Sequence, residues 1–164
     1  MGNFVYAKNH MFLLEVFKEI VMIEENAILV LVGDGQLRKE IEEKIIEIDL
    51  KDKVHLVGIR NDIPDLLQVF DVFLFPSIYE GLPVAVVEAQ TSGLNCFLSD
   101  NITKDVALTT CVQYISLSQP PKQWAKEILE KRSNKERISY KEEIKKAHYD
   151  IKELVKFYEE FALQ

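Results

Sequence analysis

The chain has 164 residues, 48% of them hydrophobic, which is enough to bury a core and points to one domain. Its formal net charge of −7 argues against nucleic-acid partners, because binding a phosphate backbone needs concentrated Lys and Arg. The acidity is uneven: residues 1–121 carry 9 basic and 18 acidic side chains and residues 122–164 carry 11 and 9, a mixture typical of solvated helix faces.

The opening "MGNFVY" starts directly in strand-like residues and reads as a chain that begins within a longer protein, with "NFVY" ending a first strand. "KNHMFLLEVFKEIVMIEE" predicts a helix with Phe12, Val16, Ile20 and Ile23 on one face. "NAILVLVG" is a continuous β-branched run, the pattern of a strand buried on both faces. It stops at "GDG", before the amphipathic helix "QLRKEIEEKIIEI". "VHLVG" is a third strand, "DIPDLLQVF" a short helix with Pro64 in its first turn, and "DVFLFP" a fourth strand. "NCFLS" and "VQYIS" are the fifth and sixth strands, with "TKDVALT" between them. From Pro121 the pattern is helical to the end, broken near Ser133 and near Tyr149-Asp150, so residues 133–164 read as a helical extension.

This alternation predicts an α/β fold, a Rossmann-like doubly wound parallel sheet of about six strands with extra C-terminal helices. Ligands bind such sheets at the carboxyl ends of the strands, where "AKNH", "GDGQ", "GIRND" and "PSIYEGLP" fall. Cys96 and Cys111 stand at no metal or redox spacing, and Cys96, in "NCFL", reads as a small buried hydrophobe. The reducing cytosol is the default compartment, with no secretory signal pattern and no apolar run near the ~20 residues that span a bilayer. His10, His55 and His148 read as structural, in a helix's first turn, a strand and the charged tail.

Gly33 and Gly35 follow a strand and precede a helix, but Arg38 stands where a dinucleotide fingerprint needs its third glycine. No acidic residue ends "VHLVG" to hold a ribose, which argues against a nicotinamide cofactor. "PSIYEGLPVAVVEAQTSG", from Pro76 to Gly93, is more informative. With Pro83 at the first helical position and Leu82, which cannot cap, before it, the helix presents free N–H groups and the positive end of its dipole. Gly81 lets a ligand approach that backbone, which makes an anion site. Glu80 lies just outside the helix. Glu88 is about five residues in, roughly 7 Å along the axis, and sits among Val84, Val86, Val87 and Ala89. It is expected to point into a confined space, where a carboxylate can accept two hydrogen bonds from ribose hydroxyls; the alternative is a lone Glu on the helix's one wet stripe. Together these residues describe a site for a nucleoside diphosphate bearing a polyhydroxylated group.

The Glu80 and Glu88 spacing resembles the Glu-seven residues-Glu motif of retaining glycosyltransferases of family 4, which have two Rossmann-like domains. The whole run from "LVGDGQLRKEI" to "EAQTSGL" is similar to their donor-binding half, and "KNHMFLLEVF" and "SDNITKDV" to the capsular and exopolysaccharide branch. The resemblance implies that Glu88 binds the ribose, that Glu80 contacts the donor sugar, and that amides around Gly81 and Leu82 hold the diphosphate. It further implies that Lys8 neutralises the departing diphosphate, that the loop Gly58 to Asn61, with Arg60 and Asn61, lines the base, and that Gly33 and Gly35 lie on the donor side. One departure stands out: where the family has a Gly-Arg pair with its arginine five residues before the lysine, this chain has Gly2-Asn3.

The implied protein is the C-terminal half of a hexosyltransferase that takes a UDP-sugar donor and a saccharide or lipid-linked acceptor. It would need no metal and no cofactor, work with an N-terminal domain, and sit in the cytoplasm or peripherally at the inner face of a membrane. Two other readings are a non-catalytic nucleotide-binding module, favoured by Asn3, and a glycoside hydrolase using Glu80 and Glu88. An anion site beside Glu88 has no use in a hydrolase.

Overall fold

β-Branched and aromatic runs become short parallel strands, and the amphipathic stretches between them become helices. The computed structural model describes residues 1–132, 137–147 and 149. The strands among them are β1 (Leu29–Val32), β2 (Val54–Gly58), β3 (Val72–Phe75), β4 (Asn95–Ser99) and β5 (Val112–Ile115). The helices are α1 (His10–Val21), α2 (Arg38–Glu47), α3 (Ile63–Val69), α4 (Val84–Thr91), α5 (Pro121–Lys131) and α6 (Lys141–Lys146), with 3-10 turns at Tyr6–Lys8 and Lys104–Val106. Every pairing is parallel, but the strands divide into two sheets, β1–β2 and β3–β4–β5.

The α/β class with parallel strands is as expected, while the count of about six strands is corrected to five among the described residues. The missing one is "NFVY". Phe4 N–H does bond to Asp34 C=O at 2.9 Å, but that partner lies beyond the end of β1. The chain then turns at once into Tyr6–Lys8 and through Asn9, whose φ is 54°, so no ladder develops.

Alternation along β4 divides the core between the two faces. Phe97, with Ile115 of β5, packs on one side with Leu14 and Phe17 of α1, Ile41 of α2 and Trp124 of α5. Cys96 and Leu98 point the other way, to Phe73 and Phe75 of β3, Leu67 of α3, Val86 of α4 and Ile144 of α6. Helices thus cover both faces, and each fully buried large side chain stabilises by about 1.5–3 kcal/mol. Cys96 is a buried hydrophobe, as read from sequence.

The face of α1 is shifted from the expected one. Its buried stripe is His10, Leu13, Leu14, Val16, Phe17 and Ile20; Phe12 is only partly buried, and Ile23 lies past the helix and is 67% exposed. Phe12 instead meets Trp124 edge to face at 5.5 Å, where α5 crosses. Of the extension predicted for residues 133–164, α6 is described as helix and 137–140 as non-helical; His148 and residues 150–164 lie outside the described residues. None of the described helices is long and apolar enough to cross a membrane.

Candidate functional site

The loops after β1, β2, β3 and β4 gather at the carboxyl ends of the strands. Glu80 stands in the loop between β3 and α4, which is tied down along its length. Ile78 N–H donates to Ala7 C=O at 2.8 Å, Asn101 Nδ2 donates to Ile78 C=O at 3.0 Å, and the Ser99 hydroxyl donates to Ser77 C=O. The first of these bonds clamps the loop to the Tyr6–Lys8 turn, and that brings Lys8 to Glu80.

Lys8 Nζ lies 2.8 Å from Glu80 Oε1, and the two side chains are 19% and 14% exposed. Such a pair is screened far less than a surface pair. The ammonium also sits 4.6 Å from the Phe75 ring centroid, a cation–π contact. Behind it, His10 opens α1, buried edge-on against Phe4 with ring centroids 4.8 Å apart. Its Nδ1 has no hydrogen-bond partner. Burial, then the charges of the Met1 amino group and Lys8, lower its pKa to about 4.

Helix α4 begins at Val84, so Pro83 is its cap residue (φ −80°) rather than its first helical residue, a correction of one position. No side chain caps this end, and Gly81 and Leu82 before it are exposed. The helix end is thus open to solvent and uncapped by any side chain, although the amides are not all free: Val84 N–H donates to Leu82 C=O at 3.0 Å and Val86 N–H to Pro83 C=O at 2.9 Å. Glu88 is the fifth residue of α4, as expected, but it is exposed rather than confined. The neighbouring Val86, Val87 and Ala89 turn into the core and leave Glu88 on the outer face. Partial desolvation still raises its pKa.

Gly33 and Gly35 have a local explanation. Gly33 adopts φ 132°, and a Cβ on it would come within 1.9 Å of Gly2 C=O; a Cβ on Gly35 would meet Phe4 N at 2.6 Å. Both glycines let the amino-terminal segment cross the end of β1, where Gly2 N–H donates to Val32 C=O and Leu37 N–H to Phe4 C=O. The Gly33 and Gly35 amides donate to Gly58 C=O and Asp34 Oδ1. Arg60 and Asn61 are exposed at the end of β2, and Arg60 Nε donates to Asp62 Oδ1 at 2.8 Å. The structure thus joins Lys8 and Glu80 directly and leaves Arg60 and Asn61 on a separate loop.

Sequence reasoning missed the bracing by Asn101 and Ser99 and the burial of His10 beside Lys8. Asn101 lies within "SDNITKDV", where its role had no local signal. Among the described residues no group of three or more His, Cys, Asp or Glu is arranged to hold a metal ion.

Helix-covered parallel strands define a doubly wound α/β domain that carries a lysine–carboxylate pair and an uncapped helix end at the strand termini. The chain belongs to the group 1 glycosyltransferases: the family described as Glycosyl transferases group 1 matches residues 1–148. It is 44% identical over 129 residues to EpsF of Bacillus subtilis, which bears a glycosyltransferase designation, covering 78% of this chain and 34% of EpsF. It is 41% identical over 105 residues to the UDP-Gal:alpha-D-GlcNAc-diphosphoundecaprenol alpha-1,3-galactosyltransferase of Escherichia coli, covering 61% of this chain and 27% of that enzyme. The chain therefore spans about a third of the length of these relatives.

Two solved structures share the fold. The C-terminal domain of LpcC, a group 1 glycosyl transferase from Francisella tularensis, superposes with a TM-score of 0.66 at 17% identity, covering 79% of this chain and 71% of that one. Anabaena HepE in complex with UDP gives 0.65 at 20% identity, covering 79% and 38%.

Proposed function

We propose that this chain is the sugar-nucleotide-binding half of a retaining glycosyltransferase, which moves a hexose from a UDP-sugar to a saccharide or lipid-linked acceptor in surface polysaccharide synthesis. The observation that carries the reading is the Lys8–Glu80 pair, held at 2.8 Å beside the uncapped amino end of α4. Family membership supports transfer, the galactosyltransferase relative names UDP-Gal as its donor, and HepE has been crystallised with UDP and with UDP-glucose.

In this reading the diphosphate lies at the α4 amino end, where the helix dipole and the amides around Gly81 and Leu82 offset its charge. Lys8 stabilises the charge that grows on the departing UDP as the glycosidic bond breaks. Glu80 meets the donor sugar and Glu88 the ribose. Arg60 and Asn61 line the base, with Gly33 and Gly35 behind on the donor side. The acceptor site belongs to the other domain, so the chain alone binds nucleotide and transfers nothing. No metal or cofactor is called for, because the cationic role falls to Lys8 and the helix end. The full enzyme works in the cytoplasm, at the inner face of a membrane when its acceptor is lipid-linked.

Titration calorimetry of the chain against UDP, GDP and ADP tests this, with UDP expected to bind best. Heat-silent mixing with all three, on folded protein, would overturn it. A second reading, a nucleotide-binding module without catalysis, is favoured by Asn3 at the family's arginine position. Joining the chain to an N-terminal glycosyltransferase domain and assaying transfer separates the two.

A further inference from the structure

Gln90, in the second half of α4, is fully buried, and its amide is bonded on every side. Nε2 donates to Val86 C=O at 3.2 Å and to Val106 C=O at 2.7 Å. Oε1 accepts from Leu108 N–H at 3.0 Å, from Thr109 N–H at 3.1 Å and from the Thr109 hydroxyl at 3.1 Å. Both amide hydrogens and both oxygen lone pairs are engaged, which is what lets an uncharged polar group be buried at small cost. Four of these five bonds reach Val106–Thr109, the segment that leads into β5. Among the described residues, no other side chain of α4 hydrogen-bonds outside the helix; the Thr91 hydroxyl returns to Val87 C=O. Val86, Val87 and Ala89 hold the helix down by apolar burial, which is non-directional, whereas the Gln90 bonds are directional.

Successive residues of a helix are turned by about 100°, so Glu88, two before Gln90, stands about 200° round the axis from it. An amide drawn inward at Gln90 therefore turns the Glu88 carboxylate outward, where it is exposed. The amino end of α4 is held by other means, since the loop before it is bonded through Ile78 to Ala7 and to Asn101. Asn101 and Val106–Thr109 belong to one connection, between β4 and β5. That connection grips the Glu80 loop through Asn101 and the Glu88 half of α4 through Gln90.

We propose that Gln90 is a positioning residue, which fixes the rotation of α4 so that Glu88 faces the ligand at a set spacing from Glu80. Gln90 touches no ligand itself. Its role rests on the ribose contact proposed above for Glu88 and adds how that contact is aimed. A ligand whose sugar meets Glu80 and whose ribose meets Glu88 gains from both only while the two carboxylates keep their relative positions. A buried network with every member satisfied supplies that rigidity.

Gln90→Met keeps the volume and the helix propensity of the side chain and removes all five bonds. Ligand-detected NMR would compare UDP affinity for the parent, Gln90→Met, Glu88→Ala and the double variant, with thermal melts to check that each is folded. Gln90→Met should weaken UDP about fivefold while Glu88 is present, and by less than about twofold in the Glu88→Ala background, where nothing is left to position. An equal loss in both backgrounds, or parent affinity for folded Gln90→Met, would overturn the positioning role and leave the ribose contact standing. Parent affinity for Glu88→Ala would overturn the ribose contact itself, and the role of Gln90 with it. If Gln90→Met does not fold, Thr109→Val takes its place in the same cycle, since it deletes the hydroxyl bond to Oε1 and keeps the shape. A loss of about twofold is then expected with Glu88 present and none without it; parent affinity for Thr109→Val would overturn the role.

Discussion

Lys8 and Glu80, distant in the chain, meet as a mostly buried ion pair with Nζ 2.8 Å from Oε1, because the Ile78–Ala7 hydrogen bond clamps their two loops together. Without ligand, the lysine's charge is spent on the carboxylate. Removing one partner of such a pair leaves a poorly solvated charge behind. Lys8→Ala should therefore destabilise the fold by about 1–3 kcal/mol, and Glu80→Gln by less, since the amide oxygen can still accept from the Lys8 ammonium, which also keeps its contact with the Phe75 ring. Urea midpoints for the two variants and their double mutant give the coupling energy. Strictly additive losses would mean the pair contributes nothing beyond its separate side chains.

The pair also sets the sign of a ligand effect. If a diphosphate competes with Glu80 for Lys8, Glu80→Gln frees the cation, and UDP affinity should rise slightly. Affinity for UDP-glucose relative to UDP should fall, because the contact to the donor sugar is lost. The competing account is that Glu80 only braces its loop. In that case both ligands lose affinity together and the melting temperature drops, and calorimetry with both ligands on one preparation distinguishes the two outcomes.

Glu88 stands on the outer face of α4 with no packing role, so Glu88→Ala should leave stability within about 0.5 kcal/mol of the parent. UDP and UDP-glucose should both bind less tightly, by about 1.5–3 kcal/mol, since the ribose is common to both. Unchanged affinities for a folded variant would return Glu88 to the status of a solvated helix residue.

The strands were legible where β-branched and aromatic runs were bounded by turn residues, as in "VHLVG" and "DVFLFP", even though β2 leaves one face, His55 and Val57, exposed. "NFVY" failed because strand propensity is not a partner: Phe4 bonds to Asp34, two residues past the end of β1, and the chain turns away at Tyr6. "NAILVLVG" yielded a strand only from Leu29, with Ile28 half exposed beside the turn. Both carboxylates of the site could be read from the sequence, but the direct Lys8–Glu80 contact could not, because it depends on how two remote loops are clamped. Glu88's exposure was hidden for a related reason: its valine and alanine neighbours belong to the faces of α4 that turn into the core.

Gly33 and Gly81 should behave oppositely. A Cβ on Gly33 would lie 1.9 Å from Gly2 C=O and force φ 132° on an L side chain, while one on Gly81 meets nothing within 4 Å. Gly33→Ala should then displace the amino-terminal segment, expose Phe4 and destabilise by about 2–4 kcal/mol. Gly81→Ala should melt within a degree or two of the parent but weaken UDP binding, by obstructing the approach to the α4 amides. Equal stability of the two variants would mean the crossing of the amino-terminal segment over Gly33 does not persist in solution.

His10 has its pKa lowered from 6.5 to about 4, by burial first and then by the Met1 amino and Lys8 charges; the Met1 amine is lowered from 8.0 to about 6. In both cases the unfolded chain takes up the proton more readily than the folded one, so stability rises with pH across the gap. The His10 contribution is fully present above about pH 6.5 and is lost as pH falls from 6.5 to 4; the Met1 contribution is lost between 8 and 6. At about 1.4 kcal/mol per unit, the loss from His10 reaches roughly 3 kcal/mol by pH 4. His10→Phe keeps an aromatic edge against Phe4 and removes the titration, so its urea midpoint should fall less than the parent's between pH 7 and pH 5. Parallel declines for the two proteins would show that His10 takes up its proton in the folded state without penalty, which a buried ring subject to two positive charges should not do.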